Sequence, residues 1–348
     1  MNISYRTRRR LQKIGAALLV IVILAVLSWL CWIVWLERYV IYTREGASID
    51  FSLGKLTPGV MASPPSMDDS VEIYFNEGSN TMDTSQELTQ FKGYYIDRDT
   101  LATELAYCRE KLGSLESGTA IMVDLKNIDG TFNYPSGLSE AAYSNVDTAA
   151  VRSFISDLNA GKFYTIARLS SFRDFTYGLN HTSAGLSHAD WGTGYLWKDE
   201  GGCYWLDPTS PEALNWIISV IDEVKGMGFN EIVLDEFRIP STDKIIFSKD
   251  KNEALLNAMN TILERCGSDG FIISFVVSDP AFALPDGRTR LYLKGISADQ
   301  VGAKVSLVTI TDPENRLVFI AETNDTRYDT YSVLRPIAAS DVLEEMGQ

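Results

Sequence analysis

The chain has 348 residues, of which 45% are apolar and 22% are charged. This balance is typical of a globular protein with a sizeable core and excludes a disordered or fibrous chain. Its 31 basic residues are outnumbered by 46 acidic ones, for a formal net charge of −15, which argues against a nucleic-acid partner because phosphate binding needs a basic face.

A basic tail and a long apolar run open the chain. Residues 1–13 carry five basic side chains, and residues 14–36 are 23 consecutive residues without a charge. A helix of that length spans roughly 34 Å, enough to cross a bilayer core, and basic residues in front of it predict a cytoplasmic N-terminus. A cleaved signal peptide is the competing interpretation, but the run is long for one and no small-residue cleavage site follows. We therefore expect an uncleaved single-pass transmembrane helix at 14–36 in the cell membrane, with the C-terminal domain extracytoplasmic.

The segment after this run has the composition of a linker. Residues 37–70 contain Pro58, Pro64 and Pro65 among small and polar residues without sustained periodicity. Such a segment predicts a stalk that holds a domain away from the membrane. Residues 71–348 are then the folded domain.

Cysteine and histidine are too sparse to suggest a cofactor. Cys108, Cys203 and Cys266 are widely spaced, with no CxxC pair, and His181 and His188 are the only histidines. A histidine-based metal site or a Ser-His-Asp triad has little to draw on. We expect no metal and no cofactor.

From residue 91 onward, strand-like and helix-like segments alternate. The predicted strands are continuous apolar runs, and the predicted helices are amphipathic; the strands are 91–96, 119–125, 162–169, 231–235 and 271–277, and the helices are 98–112, 147–160, 210–227 and 250–266. Strands that are apolar on both faces indicate a parallel sheet covered by helices. Both a (β/α)8 barrel and a doubly wound sheet fit, but no glycine-rich nucleotide fingerprint follows any strand, which weakens the nucleotide-binding version.

Charged residues directly end three of these apolar runs. Asp124, Arg168 and Asp235 each stand where a predicted strand stops. In a barrel, the chemistry collects at the carboxyl ends of the strands, so we expect these three side chains to share one mouth.

A connection of nearly 40 residues follows the strand at 162–169 and is rich in aromatic residues. It is far longer than a usual strand-to-helix connection and needs a function or its own packing. Trp197 and Trp205 are candidates for stacking on sugar rings, and the alternative is that they bury the loop against the barrel.

Five segments together resemble a glycoside-hydrolase family of TIM-barrel fold, known as a domain of unknown function in bacterial surface and secreted proteins. They are GYYID (93–97), IMVDLKNIDGTFNYPS (121–136), YTIARLSSFRD (164–174), YLWKDEGGCYWLDPTSPEALNW (195–216) and GFNEIVLDEFRIP (228–240). The resemblance implies an α/β TIM-like barrel that acts on a polysaccharide, with Asp235 as the leading catalytic residue. Its other motif positions fall here on Asp124, Lys126, Arg168, Trp197, Asp207 and Arg238.

Two departures from that family shape the expectations. The family usually has Tyr after the catalytic Asp, whereas this chain has Glu236; neighbours on a strand point to opposite faces, so both carboxylates reach the mouth only if the backbone turns there. Beyond residue 280 the resemblance fades, and KVSLVTI (304–310) and RLVFIAE (316–322) around a short link predict an antiparallel hairpin. We therefore expect a barrel that is abbreviated or irregular at its C-terminus.

Glycoside hydrolysis normally needs two carboxyl groups. We expect Asp235 and Glu236 to carry the chemistry with Asp124 assisting, while Asp279 and Glu322 are further candidates for the second carboxyl. The predicted substrate-binding residues are Lys126, Arg168, Trp197, Trp205, Asp207 and Arg238. The expected function is a membrane-anchored glycoside hydrolase acting on a cell-wall or surface polysaccharide; the alternative is a catalytically inactive barrel that serves as a membrane-anchored glycan-binding module.

Overall fold

The computed structural model describes residues 40–43, 46–49, 88–267, 270–285 and 287–337. The predicted tail at 1–13, the predicted transmembrane helix at 14–36 and most of the predicted stalk lie outside these residues. Within the described part, no helix is both long enough and apolar enough to span a bilayer. Two short strands in the segment predicted to be a stalk, β1 (Val40–Thr43) and β2 (Gly46–Ile49), pair antiparallel with each other.

Eight parallel strands form a closed barrel, the one of the two architectures left open by the alternation that the family resemblance implied. In chain order the remaining strands are β3 (Lys92–Ile96), β4 (Ala120–Lys126), β5 (Thr131–Phe132), β6 (Ala142–Tyr143), β7 (Tyr164–Ser170), β8 (Ser187–His188), β9 (Gly192–Leu196), β10 (Glu231–Asp235), β11 (Ile272–Val276), β12 (Leu291–Lys294), β13 (Leu317–Ile320) and β14 (Ser332–Pro336). The barrel order is β3-β4-β7-β10-β11-β12-β13-β14, and β14 pairs with β3 to close the ring. The architecture is that of a TIM barrel.

Helices connect the strands along the outside of the barrel. They are α1 (Arg98–Thr103), α2 (Leu105–Ser114), α3 (Thr148–Asn159), α4 (Phe175–Asn180), α5 (Pro211–Lys225), α6 (Lys251–Cys266), α7 (Val301–Val305) and α8 (Pro313–Arg316). Side-chain caps fix several starts: Asp147 accepts hydrogen bonds from the first turn of α3, Ser210 from that of α5, and Asp250 from that of α6. Such caps satisfy amide groups that have no partner inside the helix.

The predicted antiparallel hairpin near the C-terminus is wrong, and the barrel is not short of strands. The segment 316–322 does contain β13, but this strand pairs in parallel with β12 and β14. The segment 304–310 is the end of α7 and the loop after it, and its Val305, Val308 and Ile310 pack against the outer core. The prediction failed because the apolar residues of this helix end and of the loop after it have the spacing of a strand. The irregularity lies in the connections, since α7 and α8 are short and a single 3-10 turn, Thr326–Tyr328, lies between β13 and β14.

Alternate residues of the strands divide the core into two parts. One part lies between the strands and the helices, and the other fills the barrel with side chains such as Met122, Ile166 and Val233. At the amino-terminal end, Arg290 and Glu231 form a buried ion pair of 2.6 Å. The hydroxyls of Tyr164 and Tyr292 also donate to Glu231. These polar side chains fill the amino-terminal end of the barrel, so an open cavity is expected at the opposite, carboxyl end.

Candidate functional site

The carboxyl ends of three neighbouring strands bring the predicted charged residues together. Asp124 of β4, Arg168 of β7 and Asp235 of β10 line one cavity of about 170 Å3. Asp124 and Asp235 are two residues beyond Met122 and Val233, which fill the barrel interior. Since the side chains of a strand alternate between its faces, both carboxylates point into the mouth as predicted.

Asp124 and Arg168 form a bidentate ion pair across adjacent strands. They are register partners, and Nε and Nη2 of Arg168 donate to the two carboxylate oxygens of Asp124, each at 2.5 Å. Burial raises the pKa of Asp124 above its ordinary value, and the contact with Arg168 offsets part of that rise. Asp124 is thus a buried carboxyl that is held in one orientation from one side.

Asp235 is held by a lysine that the sequence analysis did not identify. Lys294, the last residue of β12, places Nζ 2.7 Å from Oδ1 of Asp235. Burial alone would raise the pKa of Asp235, but Lys294, Arg168 and the amide of Glu236 together hold it below its ordinary value. Asp235 is therefore ionised at neutral pH. The signal that could have found Lys294 is its position at the end of the short apolar run LYL, which matches the positions of Asp124, Arg168 and Asp235.

The backbone turns at Glu236, which brings a second carboxylate to Asp235. Glu236 has φ of +52°, in the left-handed region that costs a side-chain-bearing residue roughly 1–2 kcal/mol. Its Oε1 lies 2.9 Å from Nζ of Lys294, and its Oε2 accepts from Nε of Arg238 at 2.9 Å. The Asp235 and Glu236 oxygens that share Lys294 are therefore within about 6 Å of each other, near the separation used in retaining glycosidases. The sequence analysis required a turn of the backbone here if both carboxylates were to reach the mouth, and the structure has that turn.

Lys126 borders the same cavity, but its ammonium group forms a buried ion pair. Nζ of Lys126 lies 2.7 Å from Oδ2 of Asp174 and donates to the carbonyl of Ser170 at 3.0 Å. Asp174 also accepts from Nε1 of Trp216 and from the amide of Tyr177 at the start of α4. A β-bulge between Asp124 and Lys126 changes the direction of Lys126. Its visible role is to join β4 to the loop after β7.

Trp205 supports the site from below. Only 1% of Trp205 is exposed, its Nε1 donates to Asp199, and the guanidinium of Arg238 lies 4.5 Å from the ring centre. The ring thus positions Arg238, the partner of Glu236, and no open face remains for a sugar. Trp197 is 9% exposed and belongs to the core of the long loop.

The remaining candidates lie elsewhere. Asp207 accepts hydrogen bonds from the amide and hydroxyl of Thr209 in the turn that leads to α5. Asp279 accepts from the amide of Ala281 in a turn after β11. Glu322 lines a second and larger cavity, of about 640 Å3, between the loops that follow β12 and β13. Asp207 was predicted from the family resemblance, and Asp279 and Glu322 from their positions after predicted strands; the structure does not gather these residues around Asp235.

The described residues contain no cluster of three or more His, Cys, Asp or Glu side chains that could hold a metal ion. The expectation about metals and cofactors remains a prediction.

Comparison with known proteins confirms the resemblance predicted from the sequence. Residues 111–269 match the sequence model of a family described as a "putative glycosyl hydrolase domain", and this range includes Asp124, Arg168 and Asp235. No curated protein matches the chain.

Several solved structures are similar to this chain. A hypothetical protein from Ruminiclostridium thermocellum ATCC 27405 is 22% identical over 53% of this chain and 96% of its own, with a TM-score of 0.46. Aspergillus fumigatus Ega3, solved with galactosamine, is 10% identical over 72% of this chain and 92% of its own, with a TM-score of 0.42. A Flavobacterium johnsoniae dextranase complexed with glucose is 13% identical over 72% of this chain and 36% of its own, with a TM-score of 0.44.

Proposed function

We propose that this protein is a membrane-anchored, extracytoplasmic glycoside hydrolase that acts on a cell-wall or surface polysaccharide. The observation that carries the proposal is the pair of carboxyls in one cavity at the barrel mouth, Asp124 and Asp235, whose pKa values are displaced in opposite directions. A pair of carboxyls with such opposed environments is how glycosidases separate an acid from a base.

Asp235 is the ionised partner in this proposal. Its pKa is lowered, so at neutral pH it can accept a proton from a water molecule that attacks the anomeric carbon. Asp124, whose pKa burial raises, is the proton donor: its proton passes to the glycosidic oxygen as the bond to that oxygen breaks, while Arg168 keeps contact with its other oxygen. The strands that carry the two residues, β4 and β10, are separated by β7. At about 4.8 Å per strand this puts their backbones roughly 10 Å apart, which leaves room for the attacking water of an inverting mechanism.

A competing arrangement pairs Asp235 with Glu236 in place of Asp124. The Glu236 carboxylate lies within about 6 Å of that of Asp235, a separation that suits a retaining mechanism with Asp235 as nucleophile. Contact with both Lys294 and Arg238 engages Glu236 as an ion-pair partner, which favours Asp124 as the donor. The stereochemistry of the product distinguishes the two arrangements.

A glycan-binding module without catalysis is the second candidate, and one observation favours it. Three carboxylates at the ends of β4 and β10 each have a cationic partner: Asp124 has Arg168, Asp235 has Lys294, and Glu236 has Lys294 and Arg238. Charges paired in this way can also form a polar binding surface for sugar hydroxyls.

The location belongs to the same proposal. It is supported by the uncharged run at 14–36, by the basic residues in front of it and by the proline-containing segment at 37–70. A domain tethered outside a membrane meets wall or capsule glycan first, and this position motivates the choice of substrate.

The test is release of reducing ends from purified wall glycan and a panel of polysaccharides by the full chain. Asp235→Asn and Asp124→Asn should each lower turnover per folded molecule by about 10²–10⁴-fold, with the folded fraction taken from thermal unfolding, and Glu236→Gln should cost less. Unchanged turnover in Asp235→Asn would refute the assignment. Release by none of the proteins, together with retention on an insoluble glycan, would establish the binding module instead.

A further inference from the structure

The long connection between β7 and α5 contains the hairpin of β8 and β9, which carries two of the most exposed aromatic residues among the described ones. Trp191 at its tip is 65% exposed and Tyr195 on β9 is 63% exposed. We infer that Trp191 is a separate stacking platform for one sugar ring of a polysaccharide, away from the mouth carboxylates. The inference rests on the proposed function for the class of ligand, a glycan chain.

The ring of Trp191 is held in a fixed orientation. It stacks on the imidazole of His188 with ring centres 4.2 Å apart and planes 13° from parallel. His188 is itself mostly covered, and the amide of Asp190 donates to its Nδ1 at 3.2 Å. One face of the indole is therefore occupied and the other faces solvent. A flat apolar surface that is already ordered binds a sugar ring without the entropy cost of fixing a mobile side chain.

Hydrogen bonds join the base of this hairpin to the mouth. The amide of Leu186, next to β8, donates to the carbonyl of Trp205 at 2.7 Å. The ring of Trp205 lies under Arg238, and Arg238 contacts Glu236. The hairpin is thus connected to the side of the mouth where the two adjacent carboxylates lie.

A second connection involves the loop after β10. The amide of Ala189 donates to the carbonyl of Lys244 at 2.8 Å, and the amide of Ile246 donates to the carbonyl of Ser187 at 2.9 Å. Both connected loops leave the carboxyl ends of barrel strands. The hairpin therefore extends the mouth on its β7–β10 side.

The length of the hairpin favours a polymer over a single sugar as the ligand. At about 3.3 Å per residue, β9 carries its tip roughly 13 Å from its base. Gly192, with φ of +83°, turns the chain directly after Trp191, and no atom lies near the position of a Cβ there. We therefore expect a polymer that runs out of the mouth, and not a single sugar bound at Asp235, to be the ligand that contacts this ring.

The charges of the hairpin favour a glycan over a membrane surface. Residues 187–196 contain Asp190 and no lysine or arginine, and Lys244, whose carbonyl accepts from Ala189, is a single basic neighbour from the loop after β10. Binding of an aromatic tip to anionic lipid normally depends on basic neighbours. An uncharged polyhydroxyl chain can bind to an aromatic ring without basic neighbours.

The experiment measures retention of the full chain on three insoluble glycans, namely wall sacculi, chitin and cellulose, in an Asp235→Asn background so that no ligand is consumed. Trp191→Ala should weaken retention on the glycan that the parent binds by roughly three- to tenfold, as expected for loss of one stacked ring. Tyr143→Ala, which removes a half-exposed aromatic from β6, is the matched control and should leave retention unchanged.

Equal retention of the Trp191 variant and the control would overturn the inference, as would a parent protein that binds none of the three glycans. Binding of the parent to phosphatidylcholine vesicles that is lost in the Trp191 variant, with glycan retention unchanged, would assign the ring to lipid and also overturn it. If the chain with Asp235 intact releases no reducing ends from any glycan but Trp191→Ala alone loses retention, the proposed hydrolysis fails and the platform stands.

Discussion

Replacing Lys126 by methionine separates a structural role from the substrate-binding role that the sequence suggested. The side chain of Lys126 is 2% exposed and that of its partner Asp174 is 0% exposed, with 2.7 Å between the charged atoms. In Lys126→Met, Asp174 keeps its hydrogen bonds from Trp216 and Tyr177 but loses its only salt bridge in the described structure. An uncompensated charge then remains buried against the barrel.

The expected loss follows from measurements on other buried ion pairs. Removing one partner of such a pair costs about 3–5 kcal/mol, a large part of the roughly 5–15 kcal/mol that stabilises a typical domain. For a barrel of this size the midpoint of thermal unfolding should fall by roughly 6–20 °C. Methionine has a similar length to lysine, so the packing of the side-chain stem changes little.

The assay is thermal unfolding and urea denaturation of Lys126→Met beside the double variant Lys126→Met/Asp174→Asn. The double variant removes both charges but keeps an oxygen for the first turn of α4, so it should recover much of the lost stability. A single variant with unchanged stability and weaker glycan binding would refute the reasoning and restore Lys126 to the substrate contacts. A double variant no more stable than the single one would show that lost packing, not an unpaired charge, is the cause.

Three further changes test other parts of the molecule. Lys294→Met should raise the pKa of Asp235, so the acidic limb of the kcat/KM profile should move to higher pH; an unmoved limb would mean that another group controls it. Arg290→Leu leaves Glu231 buried without its cation and should cost about 3–5 kcal/mol in urea denaturation, with activity per folded molecule retained; a loss below about 1 kcal/mol would contradict this. Burial opposes the charged form of His181, but two glutamates beside it raise its pKa overall. The protonated His181 therefore contributes fully to stability below its unfolded pKa of about 6.5, and this contribution is lost as the pH rises through the higher folded pKa. The thermal midpoint of the parent should fall over this pH range. The midpoint of His181→Gln should fall less.

The sequence predicted the residues at the mouth of the barrel better than it predicted the barrel strands after residue 280. Asp124 and Arg168 were found because they lie in long strands, and Asp235 because it also stands in a motif of the resembled family; the closed barrel then brings three neighbouring strand ends together. Lys294 ends a strand of only four residues, too short to stand out from the surrounding loop. Its contact with Asp235 also reaches across β11, and such a contact depends on barrel closure, which local pattern does not show.

The aromatic loop shows a different limit. Trp197 and Trp205 were selected as sugar contacts, yet both are buried, whereas Trp191 and Tyr195 are exposed. Composition predicts that a long loop rich in aromatics packs against itself. Which ring stays outside depends on tertiary contacts such as the one between Trp205 and Arg238, and no spacing in the sequence records them.

The alternation of charges around the mouth indicates which contact a substrate displaces first. Going from β4 to β12, the strand ends carry Asp124, Arg168, Asp235 and Lys294, so each carboxylate is already paired before a sugar arrives. The side chain of Arg168 is 18% exposed and holds Asp124 with two hydrogen bonds. That of Lys294 is 39% exposed and reaches both Asp235 and Glu236 through a single flexible chain. Under the proposed function we therefore expect sugar hydroxyls to displace the more exposed Lys294 before Arg168, on the side of the mouth formed by β12.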